Sequence, residues 1–237
     1  MLPPKLIIRF AVLVVVYYFL LMIPWPGLER GYAACFRSGG DALFTHFWFR
    51  PQGQVYFLDL FSPTLFDDLD AVTPGNLPRG VKLPEPEGVK DTLLVLMNRA
   101  TPADFGVYST SSRPIGYWPT ALFISLMLAT PLRWPQKLIG LVGGLIVVHA
   151  FVALRVTILL LKNGFADPIK KYRLFSPSPF WQDMWRRLDE VFADNPTFAY
   201  VAPVFIWLVV VVGLFGWSAW RNKLPSAESN ATQPSAA

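Results

Sequence analysis

Cysteine is almost missing from this chain of 237 residues: Cys35 is the only one. A single thiol excludes an intrachain disulfide and any cysteine-based metal cluster. Histidine is nearly as scarce, with His46 and His149 alone, too few for a convincing metal site. Charge is thin as well. Only 16% of residues are charged, against about a quarter in an average soluble domain. Lys and Arg exceed Asp and Glu by 21 to 16, and the pI is about 9.4. No basic module with interleaved aromatics accompanies that excess, so nucleic acid is not an expected partner. No cofactor is expected either.

Apolar residues are plentiful, and they are gathered rather than spread. Mean hydropathy is +0.39, and four runs carry most of it, a pattern of membrane spans rather than of one large core. They are "LIIRFAVLVVVYYFLLMIPWPG", "YWPTALFISLMLATPL", "LIGLVGGLIVVHAFVALRVTILLL" and "AYVAPVFIWLVVVVGLFGWSAW". The first reads as a retained anchor, because no small-x-small cleavage site closes it. Trp25, Tyr117, Trp118, Trp134, Tyr200 and Trp220 fall at run ends, where an aromatic belt belongs. Short-loop counts of Lys and Arg tie between the two sides. The basic N-terminal tail breaks the tie and places both termini in the cytoplasm of a bacterial inner membrane.

The expected fold is therefore a membrane α-helical protein with four transmembrane helices and a small, mostly β extracytoplasmic domain between spans 1 and 2. The divisions are 1–28, an N-terminal anchor; 29–113, the β-rich domain; 114–162, spans 2 and 3; 163–197, an extracytoplasmic loop; 198–222, span 4; and 223–237, a disordered tail rich in small polar residues. Within 29–113, "GQVYFLDLF", "DTLLVLMNR" and "ALFTHFWFR" are the strand candidates, and "TPGNLPRGVKLPEPEG" is a turn-rich connector. In the later loop, Trp181, Met184, Trp185, Leu188, Val191 and Phe192 follow helical spacing. Gln182, Asp183, Arg186, Arg187, Asp189 and Glu190 fill the opposite face. Ser178 suits the cap and Pro179 the first position. This helix lies in the interface or packs under the β domain.

Arg155 stands inside the third run. An arginine at a span centre costs about 2.5–3.5 kcal/mol, and the surrounding Leu, Ile, Val and Phe, at about −0.3 to −0.6 kcal/mol each, outweigh it. Insertion alone thus demands no function. At 100° per residue, Gly140, Gly144, Phe151, Arg155 and Lys162 share one stripe. Gly140 and Gly144 form a G-x-x-x-G pair, which lets another helix approach, so Arg155 points toward protein. No Asp or Glu lies in any run. Its partner must be a backbone carbonyl, a loop carboxylate such as Asp104 or Asp167, or an external anion. Arg113, Arg155, Lys162, Lys170 and Lys171 are the candidates for a pocket taking an anionic lipid or a lipid-linked phosphate. The alternative is an arginine that only pins helix packing. His149 is placed for packing, with haem or chlorophyll ligation the other option.

Cys35, beside Arg37 and with His46 further on, is a possible nucleophile or an inert thiol. The stretch "LATPLRWPQKLIGLVGGLIVVHAFVALRVTILLL" resembles exosortases and archaeosortases, in which a basic-flanked turn leads into an arginine-bearing span. Arg155 and Val156 in "ALRV" match that arginine. Members of that family are multi-span cysteine transpeptidases that use Cys, Arg and His in that chain order. Here Cys35 precedes a whole further domain, its context is not C-S-G-like, and no histidine follows Arg155. The resemblance therefore implies an exosortase-associated accessory protein, acting in exopolysaccharide or protein-sorting export, rather than the enzyme. The expected function is non-catalytic: binding membrane lipids, other membrane protein subunits or an anionic lipid-linked molecule. The alternative is an exosortase-like cysteine peptidase with Cys35, His46 and Arg37 as its catalytic set.

Overall fold

The computed structural model describes residues 4–23, 25–45, 53–72, 90–98, 101–165, 178–192 and 195–221. Within them the order is α1 (Pro4–Met22), α2 (Pro26–Phe44), β1 (Gly53–Asp59), α3 (Leu65–Val72), β2 (Thr92–Asn98), β3 (Thr101–Thr110), a π-helical turn (Arg113–Tyr117), α4 (Trp118–Ala129), α5 (Trp134–Phe165), α6 (Pro179–Phe192) and α7 (Pro196–Arg221). The chain is mostly helical, and α1, α5 and α7 are long and apolar enough to cross a membrane. Their outward faces carry exposed Ile, Val, Leu and Phe, as helices solvated by lipid do.

Prolines set the breaks. Trp25 precedes Pro26 and is extended, with φ −86° and ψ 107°, because a following proline disfavours the helical region. Thr130 before Pro131 is extended for the same reason. The most buried helix is α4, which packs against α1, α5 and α7. Its hydroxyls return to their own helix: Thr120 to the Gly116 carbonyl at 2.7 Å, Ser125 to Ala121 at 2.7 Å and Thr130 to Leu126 at 2.6 Å. That satisfies them in an apolar setting that offers no water. Trp207 of α7 donates to Thr130 Oγ1 at 2.8 Å and stacks on Phe10 of α1. The bundle thus closes around α4.

The three strands form an antiparallel sheet in the order β1-β2-β3, with Val55 opposite Leu96 and Val95 opposite Val107. Successive side chains alternate between two cores. Val55, Phe57, Leu94 and Leu96 share one with Phe44 of α2 and with Val152, Val156, Leu160 and Leu161 of α5. Leu93 and Val95 share the other with Leu65 and Leu69 of α3. The sheet therefore rests on the second half of α5. That helix has 32 residues, or about 48 Å at 1.5 Å each, against a hydrocarbon core of about 30 Å. One helix serves both the bundle and the sheet layer.

Three expectations need correcting. The region between the first two spans is not mostly β: α2 and α3 make up a large part of what is described there. Residues Ala42, Leu43 and Phe44 of the strand candidate "ALFTHFWFR" are the last turn of α2, and the third strand is Thr101–Thr110 instead. Asp189 is not on the solvated face of α6. It is completely buried against α5, where it meets Lys162.

Candidate functional site

The arginine of α5 answers to a proline. The turn Arg113–Tyr117 has π spacing, with the Trp118 N–H donating to the Arg113 carbonyl. One residue on, Pro119 has no N–H. With α spacing the carbonyl of Ile115 loses that donor; with π spacing the carbonyl of Pro114 loses it. Arg155 Nη1 supplies both, at 2.9 Å to Pro114 and 3.1 Å to Ile115. Its Nε donates at 2.8 Å to the Phe192 carbonyl in the last turn of α6. Arg155 is 2% exposed. It faces protein and donates to backbone carbonyls of two other elements. A rigid guanidinium fork suits this; a lysine cannot hold three acceptors in that geometry.

The turn that Arg155 caps forms one edge of an open cleft of about 700 Å³. Residues Glu29, Arg30, Ala33, Ala34 and Arg37, a continuous stripe on α2, line one side. Asp59, Phe61, Asp91 and Arg113 line the rest. Arg37 Nη2 is 2.7 Å from Asp59 Oδ2, and its Nη1 reaches the Asp91 carbonyl at 3.4 Å. Asp59 also accepts the Phe61 N–H at 3.0 Å. Arg113 pairs with Glu29. The Asp91 carboxylate accepts the Ser112 N–H at 2.9 Å, the Ser112 hydroxyl at 2.5 Å and the Thr92 hydroxyl at 2.9 Å. Below the cleft, Tyr117 donates to the Leu21 carbonyl, and Tyr32 lies 3.5 Å from the Thr120 hydroxyl. The first fixes the turn against the end of α1 and the second fixes α2 against the start of α4.

The other face of α2 looks onto a smaller, apolar groove of about 120 Å³ lined by Tyr32, Cys35, Phe36, Leu43, His149 and Val152, among others. Cys35 is free and exposed. Cys35 and Arg37 thus open onto different cavities, and His46 lies outside the described residues. The His149 Nδ1 lies 2.8 Å from the Leu145 carbonyl and its ring 6.5 Å from that of Tyr32. Among the described residues no group of three or more His, Cys, Asp and Glu converges on a metal position.

The candidate cations do not gather into one cluster. Arg113 borders the cleft with Glu29, Arg155 is enclosed behind it, and Lys162 pairs with Asp189 below α6. Lys170, Lys171 and Asp167 lie outside the described residues. Gly144 is occupied from outside by the ring of Phe123, and Gly140 by Met127 of α4 and Leu214 of α7. On α6, Trp185 and Leu188 are half-buried toward α5. Trp181 stacks on Trp185, with ring centres 6.2 Å apart, and is exposed.

No family model, curated protein or solved structure matches the chain.

The site that sequence reasoning missed is the cleft. Its long wall, α2, is poor in apolar residues and holds Gly27, Gly31, Gly39 and Gly40, which hides it from a hydropathy scan. A signal was present nonetheless. Glu29, Ala33 and Arg37 repeat at i, i+4, i+8, and Tyr32, Phe36 and Leu43 follow an apolar stripe beside them. Pro26 stands at the N-terminus, where proline favours helix entry.

Proposed function

We propose that this chain is a non-catalytic accessory protein of a bacterial inner membrane, in which α4 crosses with α1, α5 and α7 and both termini are cytoplasmic. Its extracytoplasmic end binds partner subunits or a phosphate-bearing, lipid-linked molecule, in exopolysaccharide or protein-sorting export. One observation carries this reading. The sheet layer is not tethered to the bundle but shares a core with it through α5, and an open, arginine-lined cleft lies at the seam. Such a build holds a binding surface at fixed height above a membrane. The buried charges nearby serve the build: Arg155 caps carbonyls and Asp189 meets Lys162.

Counted from Trp134, Arg155 stands about 31 Å along α5, at the far limit of a hydrocarbon core about 30 Å thick. Its cost is then that of an interfacial residue. The exosortase likeness remains a motive for the export setting. The experiment is purification of the full chain in mild detergent, with native mass spectrometry of everything that stays bound. Cleft-surface variants Arg30→Glu and Phe61→Arg are expected to lose bound species while accumulating normally. An unchanged set of bound species in both variants contradicts the proposal.

A further inference from the structure

Arg30 lines the cleft and has no hydrogen-bond or ion-pair partner among the described residues, whereas Arg37 and Arg113 are each held by a carboxylate. The charges of the cleft are nonetheless balanced. Arg30, Arg37 and Arg113 stand against Glu29, Asp59 and Asp91. A lining of equal and opposite charges does not concentrate anions by its field. It offers fixed positions of both signs, and it suits a ligand that carries both.

Depth narrows the ligand further. Glu29 and Arg30 lie in the first turns of α2, just past the end of α1 at Met22, with Trp25 exposed between the two helices. Exposed tryptophan at the end of a span marks headgroup depth. Ala33, Ala34 and Phe61 add an apolar wall. Each guanidinium has five N–H donors. Arg113 uses one on Glu29, and Arg37 uses two, on Asp59 and the Asp91 carbonyl. Arg30 is exposed and the Arg113 side chain is 36% exposed, so the donors open to a phosphate are chiefly theirs, with the more enclosed Arg37 behind them. On the other side, the Asp59 side chain is 39% exposed and can accept from a cation.

We propose that the cleft holds the headgroup of a zwitterionic phospholipid of the ethanolamine type. Its phosphate lies on Arg30 and the free donors of Arg37 and Arg113, and its ammonium on Asp59 and Glu29. A primary ammonium donates hydrogen bonds to carboxylates; a quaternary choline ammonium does not. This inference rests on the cleft being the binding surface of the proposed function.

The test uses the full chain in detergent, mixed with equal amounts of dioleoyl phosphatidylethanolamine, phosphatidylglycerol and phosphatidylcholine, and read by native mass spectrometry. Phosphatidylethanolamine is expected as the dominant retained lipid. Arg30→Leu is expected to weaken its retention about tenfold, the worth of one charge-assisted hydrogen bond, and Arg30→Lys to restore part of it. Arg30 is exposed and has no partner among the described residues, so the melting temperature of both variants should match that of the wild type. Phosphatidylglycerol retained equally or better overturns the proposal and leaves an anionic lipid site in its place. An unchanged retention in Arg30→Leu also overturns it. Soluble glycerophosphoethanolamine competing as well as the lipid shows a site for free esters and overturns the lipid assignment. If no lipid is retained while protein subunits co-purify, this inference falls and the proposed accessory function stands.

Discussion

Replacing Arg155 by leucine takes away the guanidinium that donates to the carbonyls of Pro114, Ile115 and Phe192. A buried acceptor stripped of its donor costs about 1–3 kcal/mol, so the variant should lose several kcal/mol and accumulate poorly. That loss alone does not identify the cause. Pro119→Ala supplies the missing N–H at the turn, and in that background Arg155→Leu should cost at least about 1 kcal/mol less. Equal costs in both backgrounds, measured as melting temperature in detergent, contradict the capping role. Asp41 gives a second prediction at this scale. Its carboxylate accepts the Phe57 N–H at 2.8 Å, joining α2 to β1, while burial pushes its pKa above the ordinary 3.8. The folded state then holds this proton at pH values where the unfolded chain has released it. Stability must rise as pH falls through the range just above 3.8 and be lost as pH rises through it. Asp41→Asn keeps an acceptor oxygen and should flatten that part of the melting-temperature profile. A wild-type slope retained in the variant places the titrating group elsewhere.

At the scale of elements, Gly144 and Gly40 do similar work. A Cβ at Gly144 would overlap the Phe123 ring of α4, and one at Gly40 would lie 2.6 Å from the Phe57 ring of β1. Gly144→Val should therefore cost about 1–3 kcal/mol by overpacking, and Phe123→Leu should recover part of it. A double variant no more stable than Gly144→Val, by thermal melting of the purified protein, counts against that contact. The long helices α1, α5 and α7, the strands β1 and β2, and α6 with Pro179 at its start were legible because each rests on a local pattern. Periodicity, length and proline position are all written within one segment. What stayed hidden depends on partners. In α2, Gly40 trades helix propensity for a close approach to β1. In β3, "TPADFGVYST" pairs with β2 despite lacking a strong alternating pattern. The burial of Asp189 depends on Lys162, 27 residues away, and no helical wheel of α6 contains that residue. The cleft shares this fate: its nine lining residues come from α2, from the end of β1, from the start of β2 and from the π-helical turn.

Across the whole molecule, α5 is the shared member, and α6 is fastened to it at two levels. Arg155 meets the Phe192 carbonyl at the C-terminal end of α6, and Lys162 meets Asp189 one turn back. The two cations project from α5 two turns apart, and both grip the last turn of α6, so the helix is held at its C-terminal end. Asp189 is fully buried while Lys162 is a third exposed. Removing the cation therefore takes the ion pair from a carboxylate in a place from which water is excluded, at a cost of about 3–5 kcal/mol. Lys162→Met should release α6 and expose the helix itself to protease. The paired change Lys162→Met with Asp189→Leu removes both charges and preserves volume, and it should recover most of the lost stability, since a buried ion pair often does no better than a well-packed apolar one. Limited proteolysis of the full chain in detergent, with cleavage sites mapped by mass spectrometry, reads this directly. If the double variant is cut as readily as Lys162→Met, the pair is not what holds α6. If neither is cut faster than the wild type, the Arg155 contact alone suffices. The recovery is expected because the sheet core on α5, built from Val152, Val156, Leu160 and Leu161, stays intact in every one of these variants and keeps the surface that α6 packs on in place.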